Sequence, residues 1–533
     1  MADTVTQLLL ERADDDAVAI TYHGRHRSWR EHIADARRMA SAVLALADAG
    51  RPMHVGTLLG NTPTMLTALA AGALGGYVTA GINTTRRGAA LAGDIARADC
   101  QILLTDAEHR HLLTDLDLPG VTVIDTTTAA WERRLAEAGE LTPHSTPAPT
   151  DPFMLIFTSG TSGDPKPVQL AHMLIPFAGP PLIDKFGITA NDVCYLSMPL
   201  FHSAALLGGY SVAAAAGASI VPARFSASTF LDDVRRLGVT YMNYVGKPLS
   251  YILATPEEPD DADNPLRAAF GNEATDHDIT EFARRFGCHV WDGYGSSELA
   301  IIITREPGTP TGSIGKGFPG VAVFNPATIT ECARAVFDDN GALLNADDAV
   351  GELVNTSGAG MFTGYYNDAA TTGERLRDGM YWSGDLAYKD EHDWIYLAGR
   401  TGDWMRVDGE NMTAGPIERI LQRIPGVSQV AVYGVPDSQV GDAVMAALVL
   451  DHDATLGPDE FAEALREQAD LSPKAWPRYV RLARTLPTTA TNKIIKRQLK
   501  AQGVTAGDGI LWDRGPRGRT YQVATSASPD RCV

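Results

Sequence analysis

The residues best suited to chemistry in this chain lie in one loop, Ile156-Phe-Thr-Ser-Gly-Thr-Ser-Gly-Asp-Pro-Lys-Pro-Val168. Thr158, Ser159, Gly160, Thr161, Ser162 and Gly163 set hydroxyls and unencumbered backbone N–H groups beside a single cation, Lys166. Such a run of donors with one ammonium suits a chain of phosphates. It is not a Walker A loop, which runs Gly-x-x-x-x-Gly-Lys-Ser/Thr into a helix, because Pro167 follows this lysine. A flexible Gly/Ser linker has a similar composition. A linker, however, seldom follows a run such as Phe153-Met-Leu-Ile-Phe157, which reads as a buried strand.

Further polar groups follow at intervals: Pro199-Leu-Phe-His202, Gly293-Tyr-Gly-Ser-Ser-Glu298, Tyr381-Trp-Ser-Gly-Asp385, Gly399-Arg-Thr-Gly-Asp-Trp-Met-Arg-Val-Asp-Gly-Glu-Asn411 and Pro487-Thr-Thr-Ala-Thr-Asn-Lys-Ile-Ile-Lys496. Each alone has a plain structural reading. Ser-Gly-Asp is commonly a β-turn, Arg400 with Asp403 could be a surface ion pair worth under ~1 kcal/mol, and Lys493 has Lys496 and Lys500 nearby at helical spacing. His202 suits either a pocket wall or plain packing, since neutral imidazole serves both.

In this order and spacing, over about residues 150–497, the motifs resemble the adenylate-forming superfamily of acyl-CoA synthetases, peptide-synthetase adenylation domains and luciferases. The resemblance covers nearly the whole chain. It implies an ATP-dependent acyl-CoA ligase that converts a carboxylic acid to acyl-AMP with release of pyrophosphate, then moves the acyl group to CoA with release of AMP. ATP, Mg2+ and CoA are the implied partners. By the same resemblance Thr158, Ser159, Thr161, Ser162 and Lys166 surround the β- and γ-phosphates, and Glu298 binds Mg2+. Ser297, where relatives usually carry threonine, contacts the α-phosphate. Tyr294, with Gly295 and Ser296, lies against adenine beside Gly271, Asn272 and Glu273. Asp385 takes the ribose hydroxyls, and Arg400 supports the ribose or a phosphate. Lys493 matches the near-C-terminal lysine that stabilises charge developing during adenylation, a contribution of ~3–4 kcal/mol per preorganised donor. The hinge of the moving C-terminal domain falls near Gly402, and Arg406, Gly409, Glu410 and Asn411 match the loop along the CoA path. Pro416 stands where relatives often show Glu, leaving Glu418 as the acidic residue. Arg400-Thr-Gly-Asp with Arg406-Val-Asp-Gly-Glu-Asn looks most like the fatty-acid-transport and very-long-chain branch. The Gly271-Asn-Glu-Ala and Thr491-Asn-Lys variants look like its actinobacterial long-chain fatty-acid and sterol side-chain ligases.

These groups need a framework. Repeated βα patterning predicts strands at 17–22, 54–59, 77–82 and 101–105 and helices at 29–49, 63–74 and 87–98, with Gly50 closing the first helix. The alternation resumes with strands at 193–197, 219–221 and 241–245 and helices at 206–216 and 228–237. The expected class is therefore α/β: a large N-terminal domain of helix-covered βα sheets (1–400) containing a small β subdomain (about 312–398). A smaller α+β C-terminal unit follows (404–533), and the resemblance implies that it is mobile about a hinge at 401–403. Within that unit, strands are expected at 427–435 and 443–450 and a helix at 458–468, while the stretch from Gly503 onward lacks periodicity and reads as a partly ordered tail. A length of 533 residues requires more than one core. The net charge of -20 argues against nucleic acid as a partner. Five scattered cysteines without metal-ligand spacing fit a reducing compartment. With no signal segment or membrane span legible, a cytoplasmic location is expected, and homodimerisation is left open.

For the acid itself, relatives that activate amino acids place an aspartate just after the aromatic residue of Pro-Leu-Phe-His. Here Phe201-His-Ser-Ala-Ala-Leu206 has none, and burying an unpaired ammonium would cost several kcal/mol. His202, Leu206, Tyr210, Val245, Gly246 and Gly293 are the candidate walls of an apolar acyl pocket, suited to a long-chain fatty acid or a steroid side-chain carboxylate. Two other readings stand beside this one: an acyl-AMP ligase that loads a carrier protein, and a catalytically silent nucleotide- or acyl-binding module.

Overall fold

The computed structural model describes residues 2–158, 165–339, 341, 343–400, 404–407, 410–437, 441–489, 493–515 and 518–524. The chain is α/β, with a large N-terminal domain built on sheets and a smaller C-terminal domain. It folds as two compact units, Met1–Ala300 with Ala359–Leu376 and Ile301–Gly358 with Arg377–Val533. Among the described residues no helix is long and apolar enough to cross a membrane.

The first unit holds two sheets. In one, the order is Thr122–Asp125, Ile102–Thr105, His54–Leu58, Val78–Gly81, Pro152–Thr158 and Lys166–Ala171, parallel except for the last strand. The unbroken apolar run 153–157 follows from this position, because a strand covered on both faces needs no alternation, and all five residues are buried. The helix Pro63–Gly75 packs among these strands, started by the Thr62 cap and stopped at Gly76. Gly76 takes φ +66°, and a Cβ there would lie 2.1 Å from the Ser145 carbonyl oxygen, so only glycine fits. The helix beginning at Trp29 has the Ser28/Glu31 capping box but ends at Leu44, earlier than its apolar pattern suggests. Gly50 does not cap it. Instead, Asp48 accepts the Gly50 N–H at 2.9 Å and gives its own N–H to Gln101 at 2.7 Å, which draws 45–50 into turns.

In the other sheet, seven strands of this unit run in the order Arg25–Ser28, Val18–Tyr22, Ser219–Pro222, Val193–Leu196, Tyr241–Val245, Ala268–Asn272 and His289–Gly295. Only the first is antiparallel. The helix expected at 206–216 is instead Ser203–Ala205, a π-helical turn Leu206–Tyr210 and Ser211–Ala216. The Gly208-Gly209 pair lets this turn press its backbone onto the sheet. A Cβ at Gly209 would stand 2.9 Å from Asn243 Oδ1, and one at Gly208 3.1 Å from the Phe270 ring.

In the second unit, the expected β subdomain is an antiparallel sheet whose central strands are Val321–Asn325, Gly351–Asn355, Met380–Lys389 and Ile395–Arg400. A separate sheet pairs Val427–Asp437 with Gly441–Leu450, followed by Tyr479–Leu482 and Ile510–Asp513, and is covered by Ala414–Leu421 and Pro458–Arg466. The tail thus supplies a strand that periodicity did not reveal. Its four residues are too few to display a repeat, yet Leu511 and Trp512 are buried.

Candidate active site

Strand Pro152–Thr158 reverses into Lys166–Ala171, so Thr158 pairs directly with Lys166 across the antiparallel ladder. The lysine stands at the mouth of the Ser/Thr/Gly loop; Ser159, Gly160, Thr161, Ser162 and Gly163 themselves lie outside the described residues. Its Nζ donates to Thr371 Oγ1 at 2.6 Å and lies 3.9 Å from Asp368 Oδ2. Asp368 caps the helix Ala369–Arg375 by accepting the Thr371 N–H at 2.9 Å. That backbone bond, with the Thr371 hydroxyl and Lys166, holds the Asp368 carboxyl below its usual range.

The same short segment reaches Glu298. Tyr365 bridges to Val168, Gln169 N–H donates to the Gly364 carbonyl, and Tyr366 N–H donates to the Pro167 carbonyl, so residues 364–366 run along the Lys166–Ala171 edge. From there the Tyr365 hydroxyl donates to Glu298 Oε1 at 2.8 Å. Burial, reinforced by the Glu298 charge, raises the Tyr365 phenol well above its ordinary value, with Arg375 opposing. The phenol is therefore the donor and the carboxylate the acceptor. Ser297 Oγ lies 3.0 Å from Ser203 Oγ.

Around Glu298 the carboxyl ends of three parallel strands meet, the place where open α/β sheets bind ligands. Register puts Val245 beside Asn272, and Asn272 beside Gly293, so a predicted acyl-pocket residue and a predicted nucleotide residue are neighbours. Gly246 N–H donates to the Asn272 carbonyl at 2.9 Å. Gly271 is required by packing, since its Cβ would fall 2.3 Å from the Tyr244 carbonyl oxygen. Asp292 accepts the Tyr244 hydroxyl at 3.0 Å and the Ala274 N–H at 3.1 Å, fixing the 271–274 segment, in which Glu273 adopts φ +69°. Tyr294 and Gly295 end the strand His289–Gly295, and Ser296 opens the turn that carries Ser297 and Glu298, closed by Leu299 N–H on the Ser296 carbonyl. Leu206 and Tyr210 are fully buried, and His202 packs its ring 4.8 Å from Phe201.

The second unit carries the remaining candidates. Asp385 and Arg400 are cross-strand partners, with Arg400 Nε 3.2 Å from Asp385 Oδ1. Glu352, buried nearby, accepts the Gly384 N–H at 2.6 Å and so pins the turn before Asp385. Lys493 is tied to Thr489 through the backbone: its N–H donates to Thr489 Oγ1 at 3.1 Å and its carbonyl accepts the Thr489 N–H at 2.8 Å. Lys496, by contrast, is tied to Glu418 at 2.9 Å. Arg406 pairs with Asn411, and Val407 with Glu410, on two antiparallel strands, while Gly402 and Gly409 lie outside the described residues.

The donor set suits Mg2+. That ion is held by one or two carboxylates while phosphates and water complete its octahedron, and Glu298 is a single carboxylate already oriented by Tyr365. Among the described residues no cluster of three or more His, Cys, Asp or Glu side chains forms an all-protein metal cage. Sequence reasoning overlooked Tyr365, Asp368 and Thr371. Gly364-Tyr-Tyr-Asn-Asp followed by a short helix looks like any turn and cap, and its partner Lys166 lies 205 positions from Thr371.

The chain is 50% identical over 509 residues to the medium/long-chain-fatty-acid–CoA ligase FadD17 of Mycobacterium tuberculosis, covering 95% of this chain and 98% of that protein. It is 42% identical over 517 residues to the steroid-22-oyl-CoA synthetase of Rhodococcus jostii, covering 95% and 92%. Its fold matches the ATP-bound crystal structure of MatB from Rhodopseudomonas palustris with a TM-score of 0.82 at 24% identity, over 94% of this chain and 99% of that one. Residues 416–493 match the AMP-binding enzyme C-terminal domain. With residues 10–366 matching the AMP-binding enzyme family, the chain belongs to that family.

Proposed function

We propose that this enzyme activates a hydrophobic carboxylic acid, a medium- or long-chain fatty acid or a steroid side-chain carboxylate, and transfers it to CoA. A carboxylate oxygen attacks the α-phosphorus of ATP, the bond to the β-phosphate oxygen breaks and pyrophosphate leaves. The CoA sulfur then attacks the acyl carbonyl, and AMP departs. The observation that carries the reading is the near full-length likeness to two acyl-CoA-forming ligases, one named for fatty acids and one for a steroid acid.

In this scheme Lys166 and Thr158, with the loop hydroxyls, hold the departing pyrophosphate, and Ser297 meets the α-phosphate. Asp385 and Arg400 hold the ribose, and Lys493 stabilises the charge that builds during adenylation. Mg2+, with Glu298 as its protein ligand, would screen the phosphate charge. Adenylation needs no general base, because a carboxylic acid is already ionised near neutral pH. We read 404–533 as a mobile domain turning about 401–403, with Arg406, Gly409, Glu410 and Asn411 along the CoA path. Val245, Gly246 and Gly293 would border the acyl group. Each buried methylene adds only ~0.8 kcal/mol, so chain length must be measured rather than read from residue types.

The test is AMP release from ATP over a panel of fatty, aromatic and steroid acids, with and without CoA. CoA-dependent turnover of fatty or steroid acids is expected. Absence of AMP with every acid would overturn the reading, and acyl-AMP that CoA fails to consume would point to a carrier protein as acceptor.

A further inference from the structure

Lys166 and Glu298, the cation and anion expected to meet ATP and its metal, are each bonded to one segment that neither motif contains. Tyr365 holds Glu298 at 2.8 Å, while Thr371 and Asp368 hold Lys166 at 2.6 and 3.9 Å. The segment is itself firmly seated. Tyr365 N–H donates to Thr372 Oγ1 at 3.0 Å, Tyr366 hydroxyl and Asn367 Nδ2 both donate to Asp99 at 3.0 and 2.9 Å, and Thr363 Oγ1 donates to the Gln169 carbonyl. Lys166 Nζ also stands 5.9 Å from the centre of the Tyr365 ring, so one element sits against both charges, and a hydrogen bond from it to each fixes where that charge points. The Tyr365 bond occupies Oε1, which leaves Oε2 of Glu298 for another ligand.

We propose that residues 363–372 form a strap that presets the two charges, with Tyr365 positioning the Glu298 carboxylate for the divalent ion and Thr371 with Asp368 positioning the Lys166 ammonium for the phosphates. The strap rests on the reading of Glu298 and Lys166 given above. It predicts separable defects. Tyr365→Phe weakens Mn2+ binding about tenfold in the presence of a non-hydrolysable ATP analogue, as read by electron paramagnetic resonance, because one hydrogen bond to a charged group is lost. Its metal-free nucleotide affinity stays within about twofold, and its KM for Mg2+ rises while kcat changes little. Thr371→Val removes the oxygen facing Lys166 but keeps the side-chain shape. It weakens metal-free nucleotide binding, read by calorimetry, about tenfold and leaves Mn2+ affinity unchanged.

Glu298→Gln separates the two levels of the argument. If it loses Mn2+ binding while Tyr365→Phe retains it, the strap is refuted and the metal assignment stands. If Glu298→Gln itself binds Mn2+ normally, the metal assignment falls and the Tyr365 role with it. Variants that only lower the denaturant midpoint, with both affinities intact, would reduce the strap to packing and overturn the proposal.

Discussion

Replacing Gly271 by alanine tests whether the carboxyl ends of the paired strands 241–245 and 268–272 form the nucleotide site. The added Cβ would lie 2.3 Å from the Tyr244 carbonyl oxygen and 2.6 and 2.7 Å from its ring carbons. The ring can turn, but the carbonyl belongs to the paired strand, so the backbones must separate by most of an ångström to restore ordinary contact. Overpacking of this kind costs about 1–3 kcal/mol, while losing glycine's freedom in the unfolded chain returns about 0.4–1 kcal/mol. The net effect is a destabilisation of about 1–2 kcal/mol, since the steric term exceeds the entropic one. The same shift breaks the Val245–Asn272–Gly293 alignment, and the KM for ATP is expected to rise about tenfold, the equivalent of 1.4 kcal/mol. Gly295→Ala is the control. Its nearest neighbour, Asn272 Nδ2, is 4.0 Å from the new Cβ, so stability should hold and any change in ATP KM reports ligand approach alone. Urea denaturation and initial rates of AMP release measure the two quantities. An alanine at 271 that unfolds at the wild-type midpoint with unchanged ATP KM would refute the packing argument, and a lower midpoint with unchanged KM would move the nucleotide elsewhere.

Three further outcomes are expected. Burial, with Arg27 adding to it, lowers His32 to about 3, so the unfolded chain binds a proton below 6.5 that the folded chain refuses; stability is full above pH 6.5 and falls by about 1.4 kcal/mol per unit from there towards pH 3. His32→Leu should flatten the loss of urea resistance between pH 7 and 5, and a variant as acid-sensitive as the parent would sink the assignment. Lys493→Ala should abolish acyl-AMP formation yet spare thioester formation from supplied acyl-AMP; equal loss of both half-reactions contradicts its role. Asp261→Asn strips the charge partner from Arg285, which is 4% exposed and otherwise bonds only neutral groups such as the Thr255 and Pro256 carbonyls, and should cost about 3 kcal/mol in urea denaturation. A cost below about 1 kcal/mol would mean that those neutral bonds suffice.

The amino-acid order alone determined whatever is local or contiguous. Apolar periodicity located elements such as the strands His54–Leu58 and Tyr241–Val245 and the helix Pro63–Gly75, because a strand or helix buried in the core must write that environment into neighbouring residues. Motifs such as Ser-Gly-Thr-Ser-Gly and Tyr-Gly-Ser-Ser-Glu were legible for the same reason, since one loop carries all their donors. Element ends were less legible: past the end of the Trp29 helix, Gln101, just before the strand Ile102–Thr105, takes the Asp48 N–H, and within the Leu206–Tyr210 π turn Gly208 and Gly209 lie against Phe270 and Asn243. Only tertiary structure decided that Lys166 faces Thr371 and Asp368, and that Glu298 receives a bond from Tyr365, 67 positions away. No propensity or spacing encodes such a pair. It exists because the chain, between the strands Gly351–Asn355 and Met380–Lys389, lays residues 364–366 along the open edge of Lys166–Ala171, where backbone hydrogen bonding, indifferent to sequence distance, brings the side chains together.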